Sequence, residues 1–146
     1  MEIKLKEKNV VLTNPQKTYE ILKTILKAES KNDQMKEHFW VIGLNARNII
    51  QYIELTSLGT LNTNLVHPRE VFEPAVRNLV AQIVVAHNHP SGDPEPSEDD
   101  LTMTKTLEEA GKILGIEILD HIIIAENKYF SFSDNNLIKG GGQNDF

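Results

Sequence analysis

Between residues 87 and 100 the chain reads His87-Asn88-His89-Pro90-Ser91-Gly92-Asp93-Pro94-Glu95-Pro96-Ser97-Glu98-Asp99-Asp100. Two imidazoles, a hydroxyl and a carboxylate flank a loop dense in proline. Neutral histidine nitrogens and a carboxylate oxygen are donors that a divalent zinc ion accepts. A catalytic zinc site uses three protein ligands and leaves a fourth position for water. His87, His89 and Asp100 supply such a set. Zinc lowers the pKa of a bound water to roughly 7, so the chemistry in reach is hydrolysis at neutral pH.

Two elements must position these donors. Ile83-Val84-Val85-Ala86 is a short apolar run rich in β-branched side chains and reads as a buried strand. Side chains alternate across a strand, so His87 and His89 fall on one side and Asn88 points away. Ser97-Glu98-Asp99-Asp100 opens a helical pattern, whose first turn carries Asp100 back toward the strand end. Ser97 followed three residues later by an acid is also a capping pattern. Both roles are compatible, because Asp100 has two oxygens. Pro90, Pro94 and Pro96 restrict φ and stiffen the connection between strand and helix.

The rest of the chain bounds the class of protein. A length of 146 residues fits one domain. With 40% apolar and 25% charged residues, the composition is that of an ordinary globular protein. No apolar run approaches the roughly 20 residues that span a bilayer, so no membrane association is expected. Met1-Glu2-Ile3-Lys4-Leu5-Lys6 alternates polar and apolar residues and has no signal-peptide core; the cytoplasm is the expected compartment. The absence of cysteine excludes disulfides and thiolate ligands. The formal net charge is −6, the basic residues are scattered, and Asp93, Glu95, Glu98, Asp99 and Asp100 crowd the loop. Nucleic-acid binders present a basic patch or stripe, so direct DNA binding is disfavoured by charge.

Element by element, residues 1–13 read as an extended or loosely held segment and 14–135 as the folded domain. The tail 136–146, with Gly140-Gly141-Gly142, is expected to be disordered. Asn14-Pro15 is an N-cap followed by the first helical position, and Tyr19, Leu22, Ile25 and Leu26 recur at helical spacing to about Ala28. Glu29 to Lys36 is a polar connector. His38 to Leu44 and Ile49 to Leu58 form an antiparallel pair around a turn at Asn45-Ala46-Arg47-Asn48, and a loop continues through Asn64. Pro68 starts a second helix that turns Val71, Ala75, Val76 and Leu79 inward, with Pro74 expected to distort it. The strand Gln82 to His89 leads into the loop. A third helix from Glu98 to about Leu114 buries Met103, Leu107, Ala110 and Leu114 and stops at Gly115. Ile116 to Ala125 and Tyr129 to Phe132 are the last strands. The order α-β-β-α-β-α-β-β predicts an α/β domain: a mixed sheet with helices packed around it.

The pattern His-x-His, seven residues, Ser, two residues, Asp, formed by His87, His89, Ser97 and Asp100, resembles the JAMM (MPN-plus) metalloprotease motif. Three segments, His67-Pro68-Arg69-Glu70-Val71-Phe72, Ala86 to Pro94, and Leu119-Asp120-His121-Ile122-Ile123-Ile124, are together similar to the RadC family. The likeness runs from the first expected helix to the last strand. It implies a JAMM/MPN-like fold and a zinc-dependent hydrolase of the metallopeptidase type, in which zinc-activated water attacks an amide or isopeptide bond of a protein or peptide. It also implies an upstream glutamate acting as general base. Glu37, just before the strand His38 to Leu44, fits that place, whereas by composition it is only an exposed charge. By the same resemblance Ser97 donates a hydrogen bond to the oxyanion or the water. Arg69 is either a binder of a substrate carboxylate or carbonyl, or a surface ion-pair partner. His121 reads as a buried, hydrogen-bonded histidine, with Asp120 or His121 a candidate support for the metal ligands. The family name is tied to DNA repair, which keeps two further readings open: a repair accessory or scaffold with a non-catalytic zinc site, and a metal-dependent nuclease. Many such chains carry an N-terminal helix-hairpin-helix-like extension. This chain begins too close to the expected catalytic domain to hold one, a second reason to expect weak DNA binding.

Overall fold

The computed structural model describes residues 1–59 and 66–138. Its elements are β1 (Glu2–Ile3), α1 (Pro15–Lys27), α2 (Lys31–Gln34), β2 (Glu37–Leu44), β3 (Ile50–Gly59), α3 (Pro68–Arg77), β4 (Gln82–Asn88), α4 (Glu98–Leu114), β5 (Glu117–Ile124) and β6 (Tyr129–Ser131). They build one mixed sheet in the order β1-β3-β2-β4-β5-β6. Only β4 and β5 run parallel, joined by α4 as a crossover; the other pairings are antiparallel. The expected α/β class and mixed sheet are present.

Strand alternation divides the apolar residues between two faces. On one, Phe39, Val41, Ile83, Val85 and Ile123 pack with Val71 and Phe72 of α3 and Met103 and Leu107 of α4. On the other, Trp40, Ile42, Val84, Ala86 and Ile122 pack with Tyr19 and Leu22 of α1. β4 and β5 are buried on both faces, which is why they read as continuous apolar runs.

Local chemistry fixes the ends of these elements. The Asn14 side chain accepts from Lys17 N at 2.8 Å and caps α1 ahead of Pro15. In the β2–β3 turn, Asn45 Oδ1 accepts from Arg47 N and Ile49 N, and Asn48 takes φ 62°. Gly115 ends α4 at φ 73°, a conformation that side-chain-bearing residues resist.

Several expectations need correction. Of the two readings of residues 1–13, extended or loosely held, the segment is extended: Glu2–Ile3 pairs with Glu54 and Ile53, Val11 bridges Ile49, and Leu12 is fully buried. The polar connector contains a single turn of helix, α2, capped by Ser30. Val76 and Leu79 are exposed, while Phe72 and Pro74 are buried. The helix ends at Arg77, so Leu79 lies beyond it and cannot continue the stripe. In α4 the last residue, Leu114, is exposed and Gly111 turns inward. A Cβ on Gly111 would lie 2.3 Å from the Ile116 carbonyl oxygen and 3.3 Å from Phe72 Cζ, so only glycine allows this close approach of α4. Ordered packing also extends past residue 135, because Ile138 is buried in the core. The expected tail from 139 and the loop 60–65 lie outside the described residues. Among the described residues no helix is long and apolar enough to cross a membrane.

Candidate metal centre

β4 carries His87, and the backbone of His89 still pairs with β5 through its N–H to Ile124 O at 2.9 Å. Both imidazoles therefore leave the same face of the sheet, toward the start of α4. The loop is folded back by the Gly92 N–H to the His89 carbonyl, and Pro94 is buried beneath it. Ser97 then caps α4: its Oγ accepts from Asp100 N at 3.1 Å, and Asp100 Oδ2 accepts from Ser97 N at 2.9 Å. This is the reciprocal capping box that the sequence suggested. The same carboxylate faces both imidazoles, with Asp100 Oδ1 3.3 Å from His87 Nε2 and Oδ2 3.4 Å from His89 Nε2. His87 is fully buried and Asp100 nearly so.

Hydrogen-bond partners decide which ring nitrogens carry protons. His89 Nδ1 lies 2.8 Å from the Asp93 carbonyl oxygen, which can only accept, so Nδ1 holds the hydrogen and Nε2 is a lone pair. His87 Nδ1 is occupied by His121 Nε2 at 2.7 Å, leaving His87 Nε2 to face His89 Nε2 at 3.0 Å. Two nitrogen lone pairs and a carboxylate thus converge on one point, an arrangement that is repulsive without a cation between them. Ligand atoms of His87, His89 and Asp100 all lie within 4.8 Å of one another. The two Nε2 atoms are 3.0 Å apart, and each has its own Asp100 oxygen nearby, Oδ1 for His87 and Oδ2 for His89. The group fits a metal ion, and the donor set of two nitrogens and one oxygen suits one of intermediate softness.

The electrostatics agree. Burial lowers the pKa of His87, keeping the ring neutral. The Asp100 carboxylate raises His89, so a proton is the competing cation at this centre. Burial works against the charge of Asp100, but His87, His89 and the Ser97 N–H outweigh it and hold its pKa far below the ordinary carboxylate range.

Glu37 opens β2, half-buried. Phe39 stands opposite His87 in the ladder, so Glu37 projects from the same face as His87 and His89. With His89, Pro90, Ser91, Lys36 and Gly59 it lines a cleft of about 610 Å³. Glu29 is engaged elsewhere, by His38 Nε2 at 2.8 Å on the opposite side of the sheet. Asn88 points away as expected, and its amide accepts from His38 N and donates to Lys36 O, gripping the backbone on both sides of Glu37. Arg69 is exposed in the first turn of α3.

Sequence reasoning saw His121 as a buried, hydrogen-bonded histidine but did not find its partners. His121 Nδ1 lies 2.6 Å from Thr104 Oγ1, and that hydroxyl donates to the Asp100 carbonyl at 2.8 Å. Burial drives the His121 pKa well below its ordinary value. Asp120 accepts from His121 N, Ser131 Oγ and Ser133 N, and burial pushes its carboxyl up to about 7 against those bonds. Thr104 gave no sequence signal beyond its place four residues after Asp100.

A mixed sheet whose parallel pair delivers two histidines to the capped start of a crossover helix defines the class: a JAB/MPN-like domain with a candidate metal centre. The chain matches the RadC-like JAB domain over residues 12–137 and belongs to the RadC family. It is 49% identical to a UPF0758 protein of Desulforamulus reducens over 110 residues, covering 75% of this chain and 48% of that relative. A UPF0758 protein of Caldanaerobacter subterraneus is 45% identical over 126 residues, 86% of this chain and 52% of the relative. A third, from Clostridium botulinum, is 48% identical over 103 residues, 70% of this chain and 45% of the relative. The chain therefore spans about half the length of these relatives.

Proposed function

We propose that this domain is a zinc-dependent hydrolase of the metallopeptidase type, acting on an amide or isopeptide bond of a protein or peptide. The observation that carries the reading is the convergence of two imidazole Nε2 atoms and the Asp100 carboxylate beside a cleft that Glu37 and His89 both line. His87, His89 and Asp100 would hold the zinc. When bound, the ion supplies Lewis acidity and a water activated near neutral pH. Glu37 Oε is the proton carrier: it accepts a proton as the substrate carbonyl is attacked and returns it to the leaving nitrogen. Ser97 uses an oxygen lone pair for the helix cap, so its O–H is left to donate to the developing oxyanion. Asn88 holds Glu37 in register by bonding the backbone on either side of it.

The test joins metal analysis of the purified protein to a cleavage profile on peptide and lysine-isopeptide substrates. Glu37→Gln should retain zinc and the fold while cleavage falls roughly 10²–10⁴-fold, the usual share of general acid–base catalysis. A zinc-loaded wild type that cleaves neither bond type, or a Glu37→Gln variant that cleaves normally, would refute the assignment.

A further inference from the structure

We propose that His121 is a positioning residue for the metal centre: with Thr104 it forms a proton-ordered relay that fixes the tautomer of His87 and presents its Nε2 lone pair. The inference rests on the reading of His87 as a metal ligand and adds a residue outside the ligand set.

The order follows from donor and acceptor chemistry alone. The Asp100 carbonyl can only accept, so the Thr104 hydroxyl gives its single hydrogen there, across 2.8 Å. Thr104 Oγ1 is then an acceptor, and its 2.6 Å contact with His121 Nδ1 requires the hydrogen to sit on that nitrogen. Burial leaves a neutral ring with one N–H, so His121 Nε2 is an acceptor. Its 2.7 Å contact with His87 Nδ1 places the next hydrogen on His87 Nδ1. The remaining nitrogen, His87 Nε2, has no hydrogen and faces His89 and Asp100. The relay begins on the backbone of one metal-site residue and ends on the side chain of another.

The His121 ring is held against rotation. It stacks on Phe132, with centroids 4.5 Å apart and planes 13° apart, and meets the Phe39 ring edge-on at 6.3 Å. Its backbone is fixed from the other side by Asp120, which also binds Ser131 and Ser133 around Phe132. A histidine needed only for volume would not require this orientation. Partners of this kind typically change metal affinity 10–100-fold when removed.

The experiment measures zinc affinity by chelator competition in the full chain. His121→Phe keeps the stacking area but offers no acceptor to His87 Nδ1, and Thr104→Val keeps the shape but offers none to His121. Each should weaken zinc binding, His121→Phe by about 10–100-fold. His121→Gln, which carries both an acceptor and a donor, should restore most of the loss, and Thr104→Ser should behave as wild type. Wild-type affinity in His121→Phe would overturn the proposal, as would equal losses in His121→Phe and His121→Gln. A second readout needs no metal. Nitrogen-15 shifts of the ion-free protein should show His87 and His121 as Nδ1–H tautomers, and an Nε2–H form of His87 would overturn the relay. A wild type with that tautomer but no zinc affinity would instead refute the metal reading alone.

Discussion

Two buried histidine–carboxylate sets lie on opposite faces of the same sheet, and their chemistry diverges. On the α1 face, His38 is fully buried, stacks on Trp40, and directs Nδ1 to the Lys36 carbonyl and Nε2 to Glu29. Both ring nitrogens are therefore engaged by acceptors within the protein. On the α4 face, His87 and His89 spend their Nδ1 hydrogens on His121 and the Asp93 carbonyl, and their Nε2 atoms meet each other and Asp100. That set is complete only with a cation. Burial and a nearby carboxylate are common to both; what the ring nitrogens face, acceptors within the protein or each other, separates a structural histidine from a candidate ligand.

The comparison breaks most directly at the ligands. His87→Ala or Asp100→Ala should reduce zinc content from stoichiometric to near none, while His38→Phe leaves it unchanged. Equal loss in all three would mean that zinc reports only a folded chain, and retention in both ligand variants would sink the ligand set. Asp100→Ala also removes the capping carboxylate, so its melting temperature should be read beside its zinc content.

Next in size is the response to pH. His89 is raised by Asp100, so below its folded pKa a proton occupies the centre and must leave before an ion binds. Zinc affinity should fall as pH drops through that range, by about tenfold per unit while one proton is displaced. The proton's own stabilising effect on the fold runs the opposite way with pH: it is full below the unfolded imidazole pKa and lost as pH rises through the folded one. A zinc affinity independent of pH from the neutral range down to pH 5 would place the ion elsewhere.

Zinc should also stabilise the fold by about 2.7 kcal/mol when free ion is at 100 times Kd. Thermal melts of wild type and His38→Phe should shift alike on adding zinc, and His87→Ala should not shift. The smallest effect belongs to the other face. His38→Phe retains the contact with Trp40 but strands Glu29, at a cost of about 1–3 kcal/mol in denaturant unfolding. No loss there would show that the His38–Glu29 bond does not hold the approach to β2.

Much of the centre was legible in the sequence because its signals are local. His87 and His89 are related by strand alternation, Ser97 and Asp100 by one helical turn, and Gly115 by a helix stop. The α4 boundaries follow from those signals. The relay was not legible, because His121 reaches His87 only through the parallel β4–β5 register that sets Val85 beside His121. That register contains a shift between Ile83 and Val84, which no pattern in β5 announces. The inward face of α3 departs from the sequence pattern for a different reason. Helical spacing carries the stripe on to Leu79, but the chain leaves the helix after Arg77 and Leu79 adopts φ 52°. Glu37 stood out only by family resemblance; nothing in Lys36-Glu37-His38 distinguishes it from the charges before it.

Asp100 has one further consequence. Its carboxylate is locked by the Ser97 N–H as part of the helix start, before any ion is considered. The socket is therefore assembled by folding, unlike small zinc domains that are ordered by their metal. An ion bound there would exchange on an intact chain, and its identity would be set by what the surroundings supply rather than by what was present when the chain folded.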